Sequence, residues 1–173
     1  MSIDTRLRSS LSLTAEHPAR YALAAGRIFL GWIFLWAFLD KLFGIEKGAE
    51  AGWLSGASPS KGFLSHNNGP FKEIFHSMAG QFWVDALFMF GLGGLGVALL
   101  LGICLRLAAL GGTILMFMLW VASLWPENNP FMDMHWIYAA MLVAVALGDA
   151  GTTLGLGRAW ARLPIVRNSA LLR

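Results

Sequence analysis

The chain has 173 residues, about one domain's worth, of which 57% are hydrophobic and only 13% charged. Soluble domains carry roughly 25% charged residues, so the apolar surplus has to face lipid. The formal charge of +3 comes from basic side chains at the ends of apolar runs, a placement that suits membrane topology and not phosphate binding, so nucleic acid is not an expected partner.

Residues 1–20 are polar and carry Arg6, Arg8, Glu16 and Arg20. A full-length apolar run follows, so this start reads as an uncleaved anchor and not a cleavable signal. Leu7, Leu11 and Thr14 recur at helical spacing, which suggests a short surface helix before Pro18.

A spanning helix needs roughly 20 apolar residues, and four segments qualify. They are about 21–39, 82–105, 107–125 and 131–150, and the last closes on Gly148, Asp149 and Gly151. The expected fold is therefore an all-α integral membrane four-helix bundle. Residues 21–157 form the transmembrane domain, and 158–173 a basic tail. Orientation follows the Lys/Arg count. Arg6, Arg8, Arg20, Arg106, Arg158, Arg162, Arg167 and Arg173 fall on one side, and Lys41, Lys47, Lys61 and Lys72 on the other. The arginine side is expected to be cytoplasmic and to hold both termini.

The loop over residues 45–81 is too long for a mere connection. Its first part is rich in Gly, Ala and Ser. Its second part places Phe71, Ile74, Phe75 and Met78 at i, i+3, i+4 and i+7, the pattern of a short amphipathic helix. That helix either lies on the outer membrane surface or packs on protein. Small residues repeat every four positions at Gly94, Ala98 and Gly102, and again at Ala140, Ala144 and Gly148. Such stripes let helices approach closely in lipid, with a pore lining as the alternative. Residues 91–96 also fit G-x-G-x-x-G. The glycines lie within a membrane span, with no strand before them, so the match carries no dinucleotide site.

Ionisable residues inside a span are costly and draw functional interest. Arg27 lies roughly 9 Å into its helix. Asp149 closes the last span at the same depth, so an Arg27–Asp149 ion pair is expected. It serves either packing or a proton or head-group path. Asp40, Lys41, Asp85, Glu127, Asp133 and His135 gather at the opposite rim, with His66 and His76 in the loop. Trp32, Trp36 and Asp40 share one stripe of the first helix. Trp120, Trp125 and Trp136 add aromatics to the same outer half. An aromatic slot with a polar mouth suits a quinone. Tryptophans and charges also gather at any membrane interface, so interfacial anchoring is the alternative. The outer histidines show no metal-ligand spacing, and no metal is expected. The single cysteine, Cys104, rules out a disulfide or dithiol pair within this chain.

Several stretches together resemble the DoxX/DoxD family of small bacterial and archaeal membrane proteins: RIFLGWIFLWAFLDKLFG, WLSGASPSKGFL, GLGVALLLGICLRLAALGG and ENNPFMDMHWIYAAMLVAVALGDAGTTLGLGR. Arg106 and the Asp40–Lys41 pair are the more specific parts. The resemblance implies a four-helix bundle in a cytoplasmic membrane. Some members are subunits of thiosulfate:quinone oxidoreductase, others are linked to thiol and oxidative-stress handling, and many have no assigned activity. Many relatives carry a glutamate where this chain has Leu92. The expectation is a membrane subunit of a quinone-linked oxidoreductase that works with a second subunit or as a homo-oligomer. Asp40, Lys41, Asp85 and His135 would be its polar and proton-transfer groups, and Trp32 and Trp36 the quinone slot. The rivals are a non-catalytic accessory subunit of a larger redox complex and a small transporter.

Overall fold

The computed structural model describes residues 3–126, 129 and 131–172, with side chains described from Pro18 onward. The described residues form helices and turns without a strand. Helix α1 runs unbroken over Ile3–Phe43 with Pro18 inside it. The separate N-terminal helix expected before Pro18 is thus continuous with the first span, and the side chains of Leu7, Leu11 and Thr14 lie outside the described residues. The spanning part, Pro18–Phe43, has 26 residues. It continues past Leu39, so Asp40 and Lys41 sit in its last turn. Gly44, at φ +67°, ends it in a left-handed conformation that glycine adopts freely.

Two further helices are long and apolar enough to cross a membrane: α4, Phe82–Leu101, and α5, Leu105–Ala122. The short α2 (Lys61–Ser65) and α3 (Lys72–Met78) precede them in the loop. Helix α4 ends four residues before the expected boundary. Gly102, at φ +71°, donates its N–H to Ala98 and Leu99 and turns the chain into α5.

Helix α6, Met134–Leu147, has 14 residues, roughly 21 Å, which is less than the ~30 Å hydrocarbon core. It nevertheless traverses the bundle. At its start, Trp120 Nε1 donates to the Phe131 carbonyl at 2.9 Å. Beyond its end, the Leu156 N–H donates to the Leu101 carbonyl at 2.7 Å, at the opposite end of the bundle. The flanking residues complete the depth that the helix alone does not reach.

Helices α1 and α4 form one close pair and α5 and α6 the other. The shared core holds Leu30 and Phe34 from α1, Leu95 and Leu99 from α4, Met116 from α5, and Leu142 and Val145 from α6. Leu92 is buried in the same core. Large apolar side chains cover the outside, among them Phe90 at 77% exposed and Leu147 at 81%. In water each would forgo about 1.5–3 kcal/mol of burial; against lipid tails they lose nothing.

The close α1–α4 approach depends on two glycines. A Cβ on Gly96 would stand 2.7 Å from the Leu35 backbone nitrogen, and one on Gly31 would stand 2.9 Å from that of Leu100. The stripe expected at Gly94, Ala98 and Gly102 is not this seam: a Cβ on Gly94 meets nothing within 4 Å, while one on Gly102 would stand 2.9 Å from Gly151 Cα. In the second stripe Ala140 and Ala144 are exposed, while a Cβ on Gly148 would stand 2.7 Å from Leu23 Cδ1 of α1.

The segment between α1 and α4 holds tight turns at Ala49–Ala51 and Trp53–Ser55, then α2 and α3. Leu64, Phe75, Val84 and Ala122 form a second small core beneath it, and Met78 packs against them. Phe71 and Ile74 point outward, 44% and 59% exposed. The expected four-residue face is therefore split between protein and surroundings.

At the other end the basic tail folds back as two short helices, α7 (Gly157–Trp160) and α8 (Pro164–Arg167). Val166 is fully buried. Arg106 donates to the Ala170 carbonyl at 3.0 Å, and Trp160 Nε1 to that of Leu172 at 2.6 Å.

Candidate functional site

Helical spacing of four puts Trp32, Trp36 and Asp40 on one side of α1 near its outer end. They line a cleft of about 320 Å³ with Ile33, Ala37, Lys41 and Glu46. The two indoles lie 5.9 Å apart, tilted by 35°. Both are about half exposed on their lipid-facing side, at 53% and 40%. Asp40 Oδ1 accepts the Glu46 backbone N–H at 2.8 Å, which folds the chain back over the helix end. Its Oδ2 lies 3.9 Å from Lys41 Nζ. The cleft thus offers two flat apolar faces, with an ammonium donor and a carboxylate oxygen at its mouth.

The structure does not bring Asp85 or His135 into this cleft. Asp85 is buried at the start of α4, and its Oδ1 accepts from Ser58 Oγ at 2.9 Å, Ser60 N at 3.1 Å and Ser60 Oγ at 2.5 Å. Three bonds to one oxygen make it the anchor of the outer segment. His135 pairs with Asp133, Nδ1 to Oδ2 at 2.6 Å, while Asp133 Oδ1 accepts the His135 N–H and caps α6. The expected meeting of Asp40, Lys41, Asp85 and His135 therefore separates into three places. Common depth in the membrane puts groups in one layer but not on one side of the bundle.

The loop histidines bond backbone: His66 to the Gly62 carbonyl at 2.7 Å and His76 to that of Asn67 at 2.9 Å. Trp120, Phe131 and Trp136 form an edge-and-stack cluster, with Trp120 and Trp136 centroids 5.1 Å apart. This cluster pins the outer ends of α5 and α6. Trp125 stands apart, 69% exposed. No group of three or more metal-ligating side chains occurs among the described residues.

The expected Arg27–Asp149 pair does not form. Arg27 is fully buried; backbone carbonyls accept from its two terminal nitrogens, while Nε has no partner. Nη1 donates to Leu99 and, at 3.0 Å, to Leu100. Nη2 donates to Thr153 at 3.4 Å and Leu154 at 2.8 Å. These carbonyls lie at the end of α4 and in the turn after α6, where a cation is favoured; that of Leu99 also accepts the Gly102 N–H. Asp149 is exposed, at φ +45°, on the rim of a separate inner cavity that also holds Cys104, Arg106 and Trp160.

Sequence reasoning missed Ser58 and Ser60 as partners of Asp85, Glu46 as part of the wall of the α1 cleft, and the cavity beside Asp149. The serines stand in the WLSGASPSKGFL stretch, and their hydroxyls opposite a span-end aspartate were the available signal.

Three long apolar helices and a shorter fourth, packed around a core and clad in exposed apolar side chains, define an all-α membrane helical bundle. Residues 22–125, more than half of the chain, match the family model described as DoxX, and the chain belongs to the DoxX family. No curated protein and no solved structure matches it.

Proposed function

We propose that this chain is the membrane subunit of a quinone-linked oxidoreductase, with the α1 cleft as the seat of the quinone ring. The observation that carries this reading is the pairing of two tilted indole faces with Lys41 and Asp40 in one cleft. Ring faces pack on indoles, and ring oxygens need donors. A quinone supplies acceptance of two electrons and two protons. Trp32 and Trp36 would hold its ring, Lys41 would donate to a ring oxygen, and Asp40 Oδ2 would pass protons at the membrane boundary. The cleft is built from α1 and the turn after it and lies open to lipid, so a second subunit or a second copy of this chain would close it and bring the electron donor, a sulfur compound or a partner protein.

The accessory-subunit reading is favoured by one observation. Asp85 and His135 are committed to the loop anchor and the helix cap, which leaves Asp40 and Lys41 as the cleft's ionisable groups apart from Glu46.

Lipid extracts of the purified protein should contain quinone. A short-tailed quinone analogue should bind, and Trp36→Ala and Asp40→Asn should each weaken it about tenfold, a loss of about one charge-assisted or stacked contact, with melting temperature nearly unchanged. Wild-type protein that binds no analogue, alone or with its copurified partner, would leave the accessory reading.

A further inference from the structure

We propose that the inner end of the bundle holds a specific aminophospholipid, with its head group in the Arg106–Asp149 cavity and one acyl chain in the groove between α4 and α5. This site is separate from the α1 cleft and does not depend on the quinone reading.

The groove comes first. Helices α4 and α5 are joined by a tight turn yet pack less closely than the α1–α4 and α5–α6 pairs. Between them runs an apolar trough of about 900 Å³. Gly94 and Gly111 form part of its floor, and a Cβ on either would meet nothing within 4 Å. On α4 the trough runs from Leu87 to Ala98 and on α5 from Met118 back to Cys104. That is roughly 17–21 Å of helix, a little over half of the ~30 Å hydrocarbon core. The dimension fits the acyl chain of one leaflet.

The head-group cavity comes second, and the two share a wall. Cys104 lines both the trough and an inner cavity of about 260 Å³. That cavity presents one cation, Arg106, and one anion, Asp149, beside Trp160 and Thr152. Arg106 spends one nitrogen on the Ala170 carbonyl and keeps other N–H groups free. The Asp149 carboxylate has no partner among the described residues, and the two side chains share the cavity without forming an ion pair. A separated cation and anion at the mouth of an apolar trough are complementary to a zwitterionic phosphate–amine head. The guanidinium takes the phosphate. The carboxylate takes the amine, and it gains most from a primary ammonium with N–H donors, which a quaternary amine lacks. An anionic head without an amine would meet Asp149 as a like charge.

The test is native mass spectrometry of the delipidated full chain, titrated with phosphatidylethanolamine, phosphatidylcholine and phosphatidylglycerol of identical acyl chains. One phosphatidylethanolamine should be retained about tenfold more tightly than either other lipid. Gly111→Leu should fill the trough and abolish retention of all three. Arg106→Gln should weaken phosphatidylethanolamine and phosphatidylglycerol alike, and Arg106→Lys should restore them in part. Asp149→Asn, a residue that tolerates the left-handed backbone there, should erase the preference over phosphatidylglycerol. Maleimide labelling of Cys104, the only cysteine, should slow as phosphatidylethanolamine is added. Equal retention of the three lipids by the wild type, or retention indifferent to Gly111→Leu, would overturn the proposal and leave only annular lipid. Loss of a dimer in Gly111→Leu without change in lipid retention would overturn it in favour of a contact between copies.

Discussion

Arg27 Nη2 donates to the Leu154 carbonyl at 2.8 Å, so one buried side chain of the first helix holds the turn that follows the last. With Nη1 on the end of α4, the guanidinium joins three segments that are remote in sequence. Carbonyls at a helix end need donors beyond those the helix supplies, and water is scarce at this depth. The fork of Arg supplies several donors at fixed angles, which Lys does not.

Arg27→Ala should therefore destabilise the detergent-solubilised protein by about 3 kcal/mol or more, since several acceptors lose a charged donor at once. Arg27→Lys should recover only part of this. Asp149→Asn should stay within about 0.5 kcal/mol, as surface changes do. Thermal melts of the three variants check it. A double variant whose loss is smaller than the sum of its parts would mean that Asp149 is coupled to Arg27 after all.

The glycines of α4 differ in what faces them, and substitution should sort them. Gly96→Ala pushes a methyl against the Leu35 backbone and should cost about 1–3 kcal/mol through separation of α1 from α4. Gly94→Ala and Gly111→Ala enter open space and gain helix propensity, about 0.5–1 kcal/mol each. The same melting assay reads all three. Equal losses at Gly94 and Gly96 would place the seam on the wrong face.

Asp85 fastens the outer segment to α4 through Ser58 and Ser60. Asp85→Ala leaves those donors unpaired, a penalty of about 1–3 kcal/mol. The expected effect is local. Backbone amides over residues 57–65 should exchange with solvent faster, while those of α4 and α5 keep their protection. Hydrogen exchange resolved by peptide distinguishes this from a change that loosens the whole bundle.

How much of this was legible in the sequence depends on the kind of interaction. The long spans were readable because an unbroken apolar run of that length has few other fates. The end of α4 came four residues early because Ile103, Cys104 and Leu105 beyond Gly102 are as apolar as the span they follow. Arg27 stood out as a buried charge, but its partners did not. Backbone carbonyls carry no sequence signature, so Asp149, the carboxylate expected at the same depth, drew the pairing. The four-residue stripe at Gly94 and Ala98 was real as a pattern. Periodicity does not say which face meets which neighbour, and the stripe lines a groove, while Gly31 and Gly96 make the close contact. The α1 cleft was legible because its indoles and Asp40 lie on a single helix. Asp85 and His135 come from other helices, and nothing in one sequence fixes their azimuth around the bundle.

The last prediction concerns sidedness. Three contacts place the ends of the chain together. Arg27, early in the first span, bonds the end of α4 and the turn after α6. The Leu156 N–H bonds Leu101. Arg106, after the α4–α5 turn, bonds Ala170 near the C-terminus. The start of the first span, the middle turn and the C-terminal tail thus share one end, which also carries Arg20, Arg106, Arg158, Arg162 and Arg167. The opposite end carries Lys41, Lys47, Lys61 and Lys72 on or beside a folded segment of more than thirty residues. The arginines are the larger basic group and lie within a few residues of span ends, where the cytoplasmic bias operates. Both termini should therefore be cytoplasmic and the α2–α3 segment should face outward. Reporter domains that are active only outside the cytoplasm should stay silent when fused at either terminus. A cysteine placed at Lys61, in a Cys104→Ser background, should react with an impermeant maleimide on intact cells. Activity at both termini with no labelling at position 61 would invert the orientation. Activity at one terminus alone would mean that the 14-residue α6 does not cross.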